Sequence, residues 1–195
     1  MKNGIEDIET FSPTSRQDWR QWLEENHRSK PAVWLVQYKK NAKMPTISWS
    51  EAVDEALCFG WIDSVRKSLD EDKFIQFFSK RKARSTWSKV NKEKIQRFIA
   101  EGLMTEAGYK SIEIAKQNGS WTILDEVEEL VIPEDLDKAF AIQTGSKDFF
   151  LCLSKSAQKA ILQWLVLAKL AETRQKRINE IAELASQKLK PKQFR

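Results

Sequence analysis

The spacing of apolar residues predicts that helices and strands alternate in the first part of the chain. Trp19, Trp22 and Leu23 recur at helical spacing and predict a first helix that ends near Asn26. The following run 32–38 is rich in β-branched and aromatic side chains, which suit a pleated, half-buried surface. We therefore expect a helix followed by a strand.

A second helix and a hairpin are predicted next. Ser48 and Glu51 have the separation of a capping box, and the apolar positions that follow continue a helix as far as Gly60. The segments 61–68 and 74–79 have the character of strands and flank a charged turn, a pattern typical of an antiparallel hairpin. The predicted order up to this point is helix, strand, helix, strand, strand.

Beyond the hairpin the spacing is helical. Ser85 or Ser88, and then Thr105, have side chains that can cap helices, and an apolar stripe predicts a last helix over about 171–188. An acidic stretch at about 121–133 ends at a proline. We interpret this stretch as a connector between two parts of the chain.

These elements predict an α+β fold with two domains. The first domain, residues 1–120, is expected to contain a small three-stranded antiparallel sheet with flanking helices. The second, residues 121–195, is expected to be a helical carboxy-terminal segment that packs on the first. The two halves show no internal repeat.

Composition excludes several classes of protein. The chain has 195 residues, of which 41% are apolar and 31% are charged, which argues against disorder and low complexity. Its longest apolar runs, such as 149–153, are far shorter than the roughly 18 residues that a transmembrane helix requires. The acidic start 1–7 lacks an apolar core, so we expect no secretory signal and a cytoplasmic location.

The few cysteine and histidine residues restrict the possible chemistry. Cys58 and Cys152 stand apart in apolar surroundings, which predicts buried thiols rather than a zinc site or a disulfide. His27 is the only histidine, so a catalytic triad would have to use it as the base, and its place near a helix end favours a structural role. The glycines form no phosphate-binding loop. We therefore expect neither a metal nor a cofactor.

The most specific constellation lies in the hairpin and the turn after it. Asp63 stands inside an apolar strand, where a carboxylate needs cations or hydrogen-bond donors to offset its desolvation. With two-residue periodicity Trp61, Asp63, Val65 and Lys67 share one face of the strand. Three interpretations remain open: a structural role at a turn, a ligand site, or acid-base catalysis by Asp63 with a nearby lysine.

Of the two functional interpretations, the pattern favours the ligand site. Such a pocket would have indole walls, one buried anion, cations that bind an anionic group and several hydrogen-bonding side chains. The candidate walls are Trp61 and Trp87, and the candidate buried anion is Asp63. The candidate cations are Arg81 and Lys82, and the candidate hydrogen-bonding residues are Ser85, Ser88 and Asn91.

Basic residues are concentrated in two segments, with a net charge of +6 over 64–94 and +7 over 155–195, whereas 121–148 carries −6. Basic segments with interleaved aromatic residues can bind phosphates and stack bases, so a nucleic-acid-binding protein is an alternative hypothesis. A solvated face and pairing with the acidic segment would explain the same pattern. The candidate residues for this alternative are Lys80, Arg81, Lys82, Arg84, Arg174 and Arg177.

Several short motifs resemble those of one known family. They include Trp22-Leu23, Val33-Trp34-Leu35, Phe59-Gly60-Trp61-Ile62-Asp63-Ser64, Trp87-Ser88, Gly102-Leu103-Met104 and Glu172-Thr173-Arg174. The chain resembles the YdeI/OmpD-associated proteins, also called bacteriocin-protection proteins, in these motifs. The motifs are spread over nearly the whole chain. The resemblance implies an association with protection from peptide antibiotics and supplies no catalytic residue.

The function that these patterns favour is binding. We expect a non-enzymatic cytoplasmic protein of the YdeI/OmpD-associated type, with a role in bacteriocin or antimicrobial-peptide protection or in bacterial stress resistance. Its partner would be a small molecule or a peptide. The alternatives are a nucleic-acid-binding protein that uses the basic segments and an enzyme that uses Asp63 with a nearby lysine.

Overall fold

The computed structural model describes residues 8–195, except for the side chain of Lys40, and divides the chain into two compact units. The first unit extends to Trp121 and the second runs from Thr122 to Arg195. The segment 1–7, on which the expectation about a secretory signal rests, lies outside the described residues. The predicted packing of the carboxy-terminal segment on the first domain stays a prediction.

The first unit is the α+β part of the chain. Its described strands are β1 (Thr10–Phe11), β2 (Ala32–Tyr38), β3 (Trp61–Ser68) and β4 (Lys73–Lys80). Its described helices are α1 (Arg16–Asn26), α2 (Trp49–Cys58), α3 (Lys89–Ala100) and α4 (Glu106–Gln117), with a short 3₁₀ helix at Lys40–Ala42.

The sheet of the described chain has four strands in the order β1-β2-β4-β3. The pairs β2–β4 and β3–β4 are antiparallel, whereas β1 pairs parallel with β2, with Thr10 beside Trp34. The prediction of a three-stranded antiparallel sheet is therefore wrong, because the sheet is mixed and has one more strand. A two-residue strand is too short to show alternation, and a contact between distant segments holds it: Trp34 N donates to Glu9 O over 3.0 Å.

A β-bulge interrupts the β3–β4 hairpin. Asp63 pairs with Phe78, but the next registered pair joins Arg66 to Gln76, so β3 has one residue more than β4 between these pairs. Arg66 therefore lies on the same face as Asp63, and Lys67 lies on the opposite face. The predicted shared face of Asp63 and Lys67 is wrong, because an extra residue shifts the two-residue alternation by one position.

Side-chain caps begin the four helices of the first unit. Ser15 caps α1, and Ser48 with Glu51 forms the predicted capping box of α2. Ser88, rather than Ser85, caps α3, and Thr105 caps α4 as predicted. Each of these hydroxyls accepts a hydrogen bond from a backbone amide three residues ahead, so the motifs predict the helix starts from local sequence alone.

One buried cluster joins the sheet to the helices. Val33 and Leu35 of β2 and Phe78 of β4 share a face and pack in the same cluster as Trp19 of α1 and Ala56 of α2. All five side chains are essentially inaccessible to solvent. The hydrophobic effect of burying this face supplies the main stabilisation of the unit.

Two carboxylates of α2 form ion pairs in this buried region. Asp54 accepts hydrogen bonds from Lys94 and Arg97 of α3, at 2.6 and 3.1 Å. Glu55 binds Arg16 and Arg20 of α1, with Arg20 Nη1 2.8 Å from Glu55 Oε2. These pairs connect α2 to α1 and α3 in addition to the apolar packing.

The second unit is helical. Its helices are α5 (Asp125–Glu128), α6 (Glu134–Ile142), α7 (Ser146–Cys152), α8 (Lys155–Val166) and α9 (Ala171–Ser186), followed by a 3₁₀ helix at Lys192–Phe194. The acidic stretch predicted as a connector contains α5, and its Leu124 and Val127 are buried in the core of this unit. Cys152 is exposed, contrary to the prediction of a buried thiol, because it closes a short helix near the surface.

None of the helices within residues 8–195 combines the length and the apolar character needed to cross a membrane. The same part of the chain contains no group of His, Cys, Asp and Glu side chains that could hold a metal ion.

Candidate functional site

A cleft of about 520 Å³ opens at one end of the sheet in the first unit. Four segments form it: the end of α1 with Arg28, the residues 59–61 at the start of β3, the residues 80–83 at the end of β4, and the first turns of α4. These segments are far apart in sequence. The cleft is therefore a product of tertiary structure rather than of a local motif.

Gly60 and Gly108 allow α4 to approach the start of β3. Gly60 has a φ of +71°, and a Cβ atom there would lie 2.9 Å from Ala107 O. A Cβ atom on Gly108 would lie only 2.3 Å from Cys58 O. On the other side, Arg81 N donates to Gly60 O over 2.9 Å, which holds the turn after β4 against the same segment.

The charges along the cleft are strongly biased towards cations. Glu106 is the acidic side chain among the described lining residues. The basic side chains that line the cleft are Arg28, Lys80, Arg81, Lys82 and Lys110. A concave surface with this excess of positive charge attracts anions, because its low-dielectric walls concentrate the field.

Arg81 is the most desolvated of these cations. Its guanidinium carbon lies 3.6 Å from the centroid of the Trp87 ring, and Nη2 donates to Thr86 O over 3.2 Å. Its Nε is buried without a hydrogen-bond partner in residues 8–195. Burial lowers the pKa of Arg81 to about 10, and the charge of Asp63 offsets part of that shift. The side chain stays cationic at neutral pH, although no carboxylate of the described chain pairs with it.

The other cations differ in how they are held. Lys80 Nζ donates to Arg28 O over 2.7 Å, and Arg28 forms an exposed ion pair with Glu106 at 3.2 Å. Lys82 and Lys110 have no side-chain partner within residues 8–195. These two ammonium groups are therefore available to a ligand.

His27 also lines the cleft and was not predicted as a site residue. It forms the end of α1, as its predicted structural role requires, and its Nδ1 lies 2.7 Å from Leu23 O. Because a carbonyl oxygen only accepts hydrogen bonds, Nδ1 carries the proton. The ring packs 5.1 Å from that of Phe59, between centroids.

The floor of the cleft is apolar. Phe59 and Trp61 are buried there, and Ala107 and Ile114 of α4 contribute aliphatic surface. Trp61 Nε1 is buried and has no hydrogen-bond partner in the described residues. Apolar lining combined with a few polar groups is the composition typical of small-molecule sites.

The structure brings together half of the predicted ligand-binding residues. Trp61, Arg81 and Lys82 line the cleft, and Trp87 lies directly beneath the Arg81 guanidinium. The cleft and the predicted pocket therefore overlap mainly at the turn formed by residues 80–83.

The other predicted residues lie outside the cleft lining. Asp63 accepts hydrogen bonds from Trp49 Nε1 at 2.9 Å and from Gln76 Nε2 at 3.4 Å, so neutral donors rather than lysines satisfy it. Ser85 donates from its backbone N to Lys82 O in the turn. Ser88 caps α3 by accepting from Asn91 N. These contacts agree with structural roles.

The candidate nucleic-acid residues are divided between the two units. Lys80, Arg81 and Lys82 line the cleft, and Arg84 is exposed beside it in sequence. Arg174 makes two hydrogen bonds to Asp135, at 2.6 and 2.9 Å, and Arg177 donates to Trp164 O. Arg174 is therefore paired with a carboxylate within the second unit, whereas Arg177 has a backbone carbonyl and the Trp164 ring as partners there.

Arg28, Glu106 and Lys110 are further cleft residues that the sequence did not predict. The one local signal is the four-residue separation of Glu106 and Lys110, which places both on one face of α4. Such a separation is common on exposed helices. Nothing in the sequence relates that face to the turn at 80–83.

Two family models match the chain. Residues 11–111 match a domain of unknown function, DUF8412, and this region includes the cleft as far as Ser111. Residues 129–188 match the family described as bacteriocin-protection, YdeI or OmpD-associated. The resemblance to that family is thus confirmed for the helical unit, whereas most of the motifs that suggest it lie within the DUF8412 match. Neither a curated protein nor a solved structure matches the chain significantly.

Proposed function

The chain belongs to the DUF8412 family, with a bacteriocin-protection, YdeI or OmpD-associated match in its helical unit, and on this premise we propose that it is a non-enzymatic binding protein. Its ligand is anionic and occupies the cleft of the first unit. A small molecule and a peptide end can both present an anionic group of this kind.

The observation that carries this proposal is the state of Arg81. Burial lowers the pKa of Arg81 to about 10, yet no described carboxylate forms an ion pair with it. A desolvated cation without an ion-pair partner is costly in a folded protein. A bound anion would compensate that cost, and Lys82 beside it adds a second available cation.

The contacts of Asp63 favour binding over catalysis at this site. Trp49 and Gln76 hold the Asp63 carboxylate, and the β-bulge places Lys67 on the opposite face of the sheet. The lysine predicted to share a face with Asp63 is therefore separated from it. The cleft cations are suited to holding an anion in place.

A role in protection from bacteriocins or other antimicrobial peptides, or in stress resistance, is the cellular part of the proposal. It rests on the description of the family that residues 129–188 match. A cytoplasmic site of action is proposed with it. In this view ligand occupancy of the cleft controls the protective activity of the protein.

Calorimetric titration with a panel of organic anions tests the binding function. The double variant Lys82→Gln/Lys110→Gln removes the two available ammonium groups, and Lys43→Gln/Lys169→Gln removes two exposed lysines elsewhere. We expect binding by the native protein and the control, and loss of about tenfold or more in the cleft variant. Equal affinities in all three proteins, or no anion bound, would contradict the proposal.

Oligonucleotides form a separate arm of that titration. Binding to short DNA or RNA that survives physiological salt and weakens in Arg84→Gln would favour the nucleic-acid alternative, because Arg84 lies outside the cleft lining.

To test the cellular role, bacteria that lack the protein are challenged with a bacteriocin. Native protein and the Lys43/Lys169 variant should restore survival, and the Lys82/Lys110 variant should not.

A further inference from the structure

We infer that the cleft binds the phosphoryl group of a small phosphate monoester, with the organic part of the ligand lying over the apolar floor. This inference rests on the proposed function and specifies the class of its ligand. It is carried by the number of available donors, the net charge of the lining and the size of the cavity.

Three cationic donors are available at the cleft. The ammonium groups of Lys82 and Lys110 have no side-chain partner within residues 8–195. In the Arg81 guanidinium, Nη2 donates to Thr86 O and Nε is buried, so Nη1 is the nitrogen that remains for a ligand. A phosphoryl group presents three terminal oxygens, whereas a carboxylate presents two.

The net charge of the lining also suits a phosphate monoester. Five basic side chains and one acidic side chain line the cleft. A phosphate monoester carries roughly 1.5 to 2 negative charges at neutral pH, so it compensates more of this excess than a carboxylate or a sulfate ester does.

Helix α4 faces the same space with one side rather than with its end. The α4 residues Ala107, Lys110, Ser111 and Ile114 line the cleft and recur at the spacing of one helix face. At the helix start, Thr105 Oγ1 accepts from the amide of Gly108 and donates to Cys58 O. Helix α4 therefore contributes the ammonium group of Lys110 to the cleft rather than the charge of its dipole.

The cavity is larger than a phosphoryl group alone requires. Its volume of about 520 Å³ lies in the range of roughly 300–1,000 Å³ that is typical of sites for small organic ligands. Phe59, Trp61 and Ile114 make part of its lining apolar. A flat or aliphatic group attached to the phosphate would fill the remaining volume and cover the accessible part of Ile114.

Glu106 acts against the ligand in this arrangement. It pairs with Arg28 at 3.2 Å, and both side chains are largely exposed, at 87% and 76%. A phosphoryl group in the cleft competes with the Glu106 carboxylate for Arg28 and is repelled by it. Glu106→Gln should therefore bind phosphate monoesters more tightly than the native protein.

Four probes separate the contributions of charge and of the organic part. Phenyl phosphate is the test ligand, phenyl sulfate has nearly the same shape with one charge, benzoate has one charge and two oxygens, and inorganic phosphate lacks the ring. In calorimetric titrations of the full chain we expect phenyl phosphate to bind about tenfold more tightly than each of the other three.

Variants of α4 test where the probe binds. Lys110→Gln should weaken phenyl phosphate binding about fivefold or more, and Glu106→Gln should strengthen it by a similar factor. Glu113→Gln is the matched control, since Glu113 is exposed on the same helix and lies outside the cleft lining. It should bind phenyl phosphate like the native protein.

The outcomes distinguish this inference from the proposed function. Benzoate or phenyl sulfate binding as tightly as phenyl phosphate, with dependence on Lys82 and Lys110, would overturn the phosphoryl assignment and leave anion binding intact. Phenyl phosphate binding that is unchanged in Lys110→Gln and Glu106→Gln would also overturn it. No binding of any anion in the panel would overturn both.

Discussion

The guanidinium of Arg81 lies on the indole ring of Trp87, with its central carbon 3.6 Å from the ring centroid. Trp87 is itself buried, with 1% of its surface exposed, and its ring packs 5.1 Å from that of Trp121. The stack therefore anchors the most desolvated cation of the cleft to the core of the first unit. It fixes the position of Arg81 without neutralising its charge.

Replacing Arg81 should separate its role in binding from its role in packing. Arg81→Met retains an unbranched side chain over Trp87 and removes a buried charge that has no carboxylate partner in the described chain. We expect the free energy of unfolding to stay within about 1 kcal/mol of the native value, and anion affinity to fall at least about tenfold. Urea unfolding and calorimetric titration measure the two effects.

Arg84→Met is the matched control for this change, since Arg84 is exposed and lies outside the cleft lining. It should leave both the stability and the anion affinity unchanged. A loss of more than about 3 kcal/mol in Arg81→Met would instead show that the hydrogen bond to Thr86 holds the turn together.

Glu55 should be essential for the packing of α1 on α2. Its side chain is 3% exposed and binds both Arg16 and Arg20, and Arg20 also donates to Leu103 O. Glu55→Gln would remove the carboxylate that binds Arg16 and would leave Arg20 paired with the exposed Glu24. We expect a loss of about 3 kcal/mol in the free energy of unfolding, measured with urea.

Glu24→Gln provides a control that shares the partner Arg20. Glu24 lies 3.2 Å from Arg20 Nε across one helical turn, but its side chain is 56% exposed. Its removal should cost less than about 0.5 kcal/mol, because water screens an exposed pair. Similar costs for the two variants would show that the burial of Glu55 does not strengthen its ion pairs.

Gly108 should tolerate no side chain, although it lies inside a helix. A Cβ atom there would meet Cys58 O at 2.3 Å, so Gly108→Ala must displace α4 from the end of α2. We expect a loss of about 2–3 kcal/mol in the free energy of unfolding and weaker anion binding, because α4 forms one wall of the cleft.

Gly119→Ala isolates the conformational contribution to such a change. Gly119 has a φ of +79°, and no atom lies within 4 Å of the place that an added methyl group would occupy, so only the strain of the left-handed backbone applies. Its cost should be about 1 kcal/mol. If Gly108→Ala costs no more than this, the close approach of α4 to Cys58 is not required for stability.

The ion pair between Arg174 and Asp135 should make the stability of the second unit depend on pH. The hydrogen bonds from Arg174 lower the pKa of Asp135 below its ordinary value. This pair therefore stabilises the folded state above the ordinary carboxyl pKa, and the contribution is lost as the pH falls through the lowered pKa.

Asp135→Asn tests this dependence. The variant should be less stable than the native protein by under about 1 kcal/mol at pH 7, because the pair is partly exposed, and this difference should shrink as the pH falls below the ordinary carboxyl pKa. Thermal unfolding at pH 7 and at a series of acidic pH values measures the difference. Glu183→Gln, an exposed carboxylate without an ion pair in the described chain, should show no such pH-dependent difference.

Local sequence predicted the features that depend on neighbouring residues. The capping box of Ser48 and Glu51, the cap at Thr105 and the hairpin formed by β3 and β4 are all present. In each case a hydrogen bond or a pairing within a short segment determines the element. The turn that carries Arg81 and Lys82 could be identified as a candidate binding segment, because its cations are neighbours in the sequence.

The features that the sequence did not predict depend on contacts between distant segments. Strand β1 exists because Thr10 and Phe11 pair with β2 across an intervening helix. The bulge after Asp63 is a property of how β3 aligns with β4, and it separates Asp63 from Lys67. A periodicity of two residues cannot reveal either feature, because neither changes the local composition.

The sequence by itself determined the fold class, the starts of helices α2 and α4 and one cationic turn of this protein, since these follow from spacing and capping within short segments. Only the tertiary structure decided what that turn faces. It brought Arg28 and Lys110 to the turn. It also gave Asp63 the neutral partners Trp49 and Gln76 in place of the cations that the sequence suggests. The physical reason is that burial and charge compensation depend on which segments meet in space, and the packing of α4 against the start of β3 decides this.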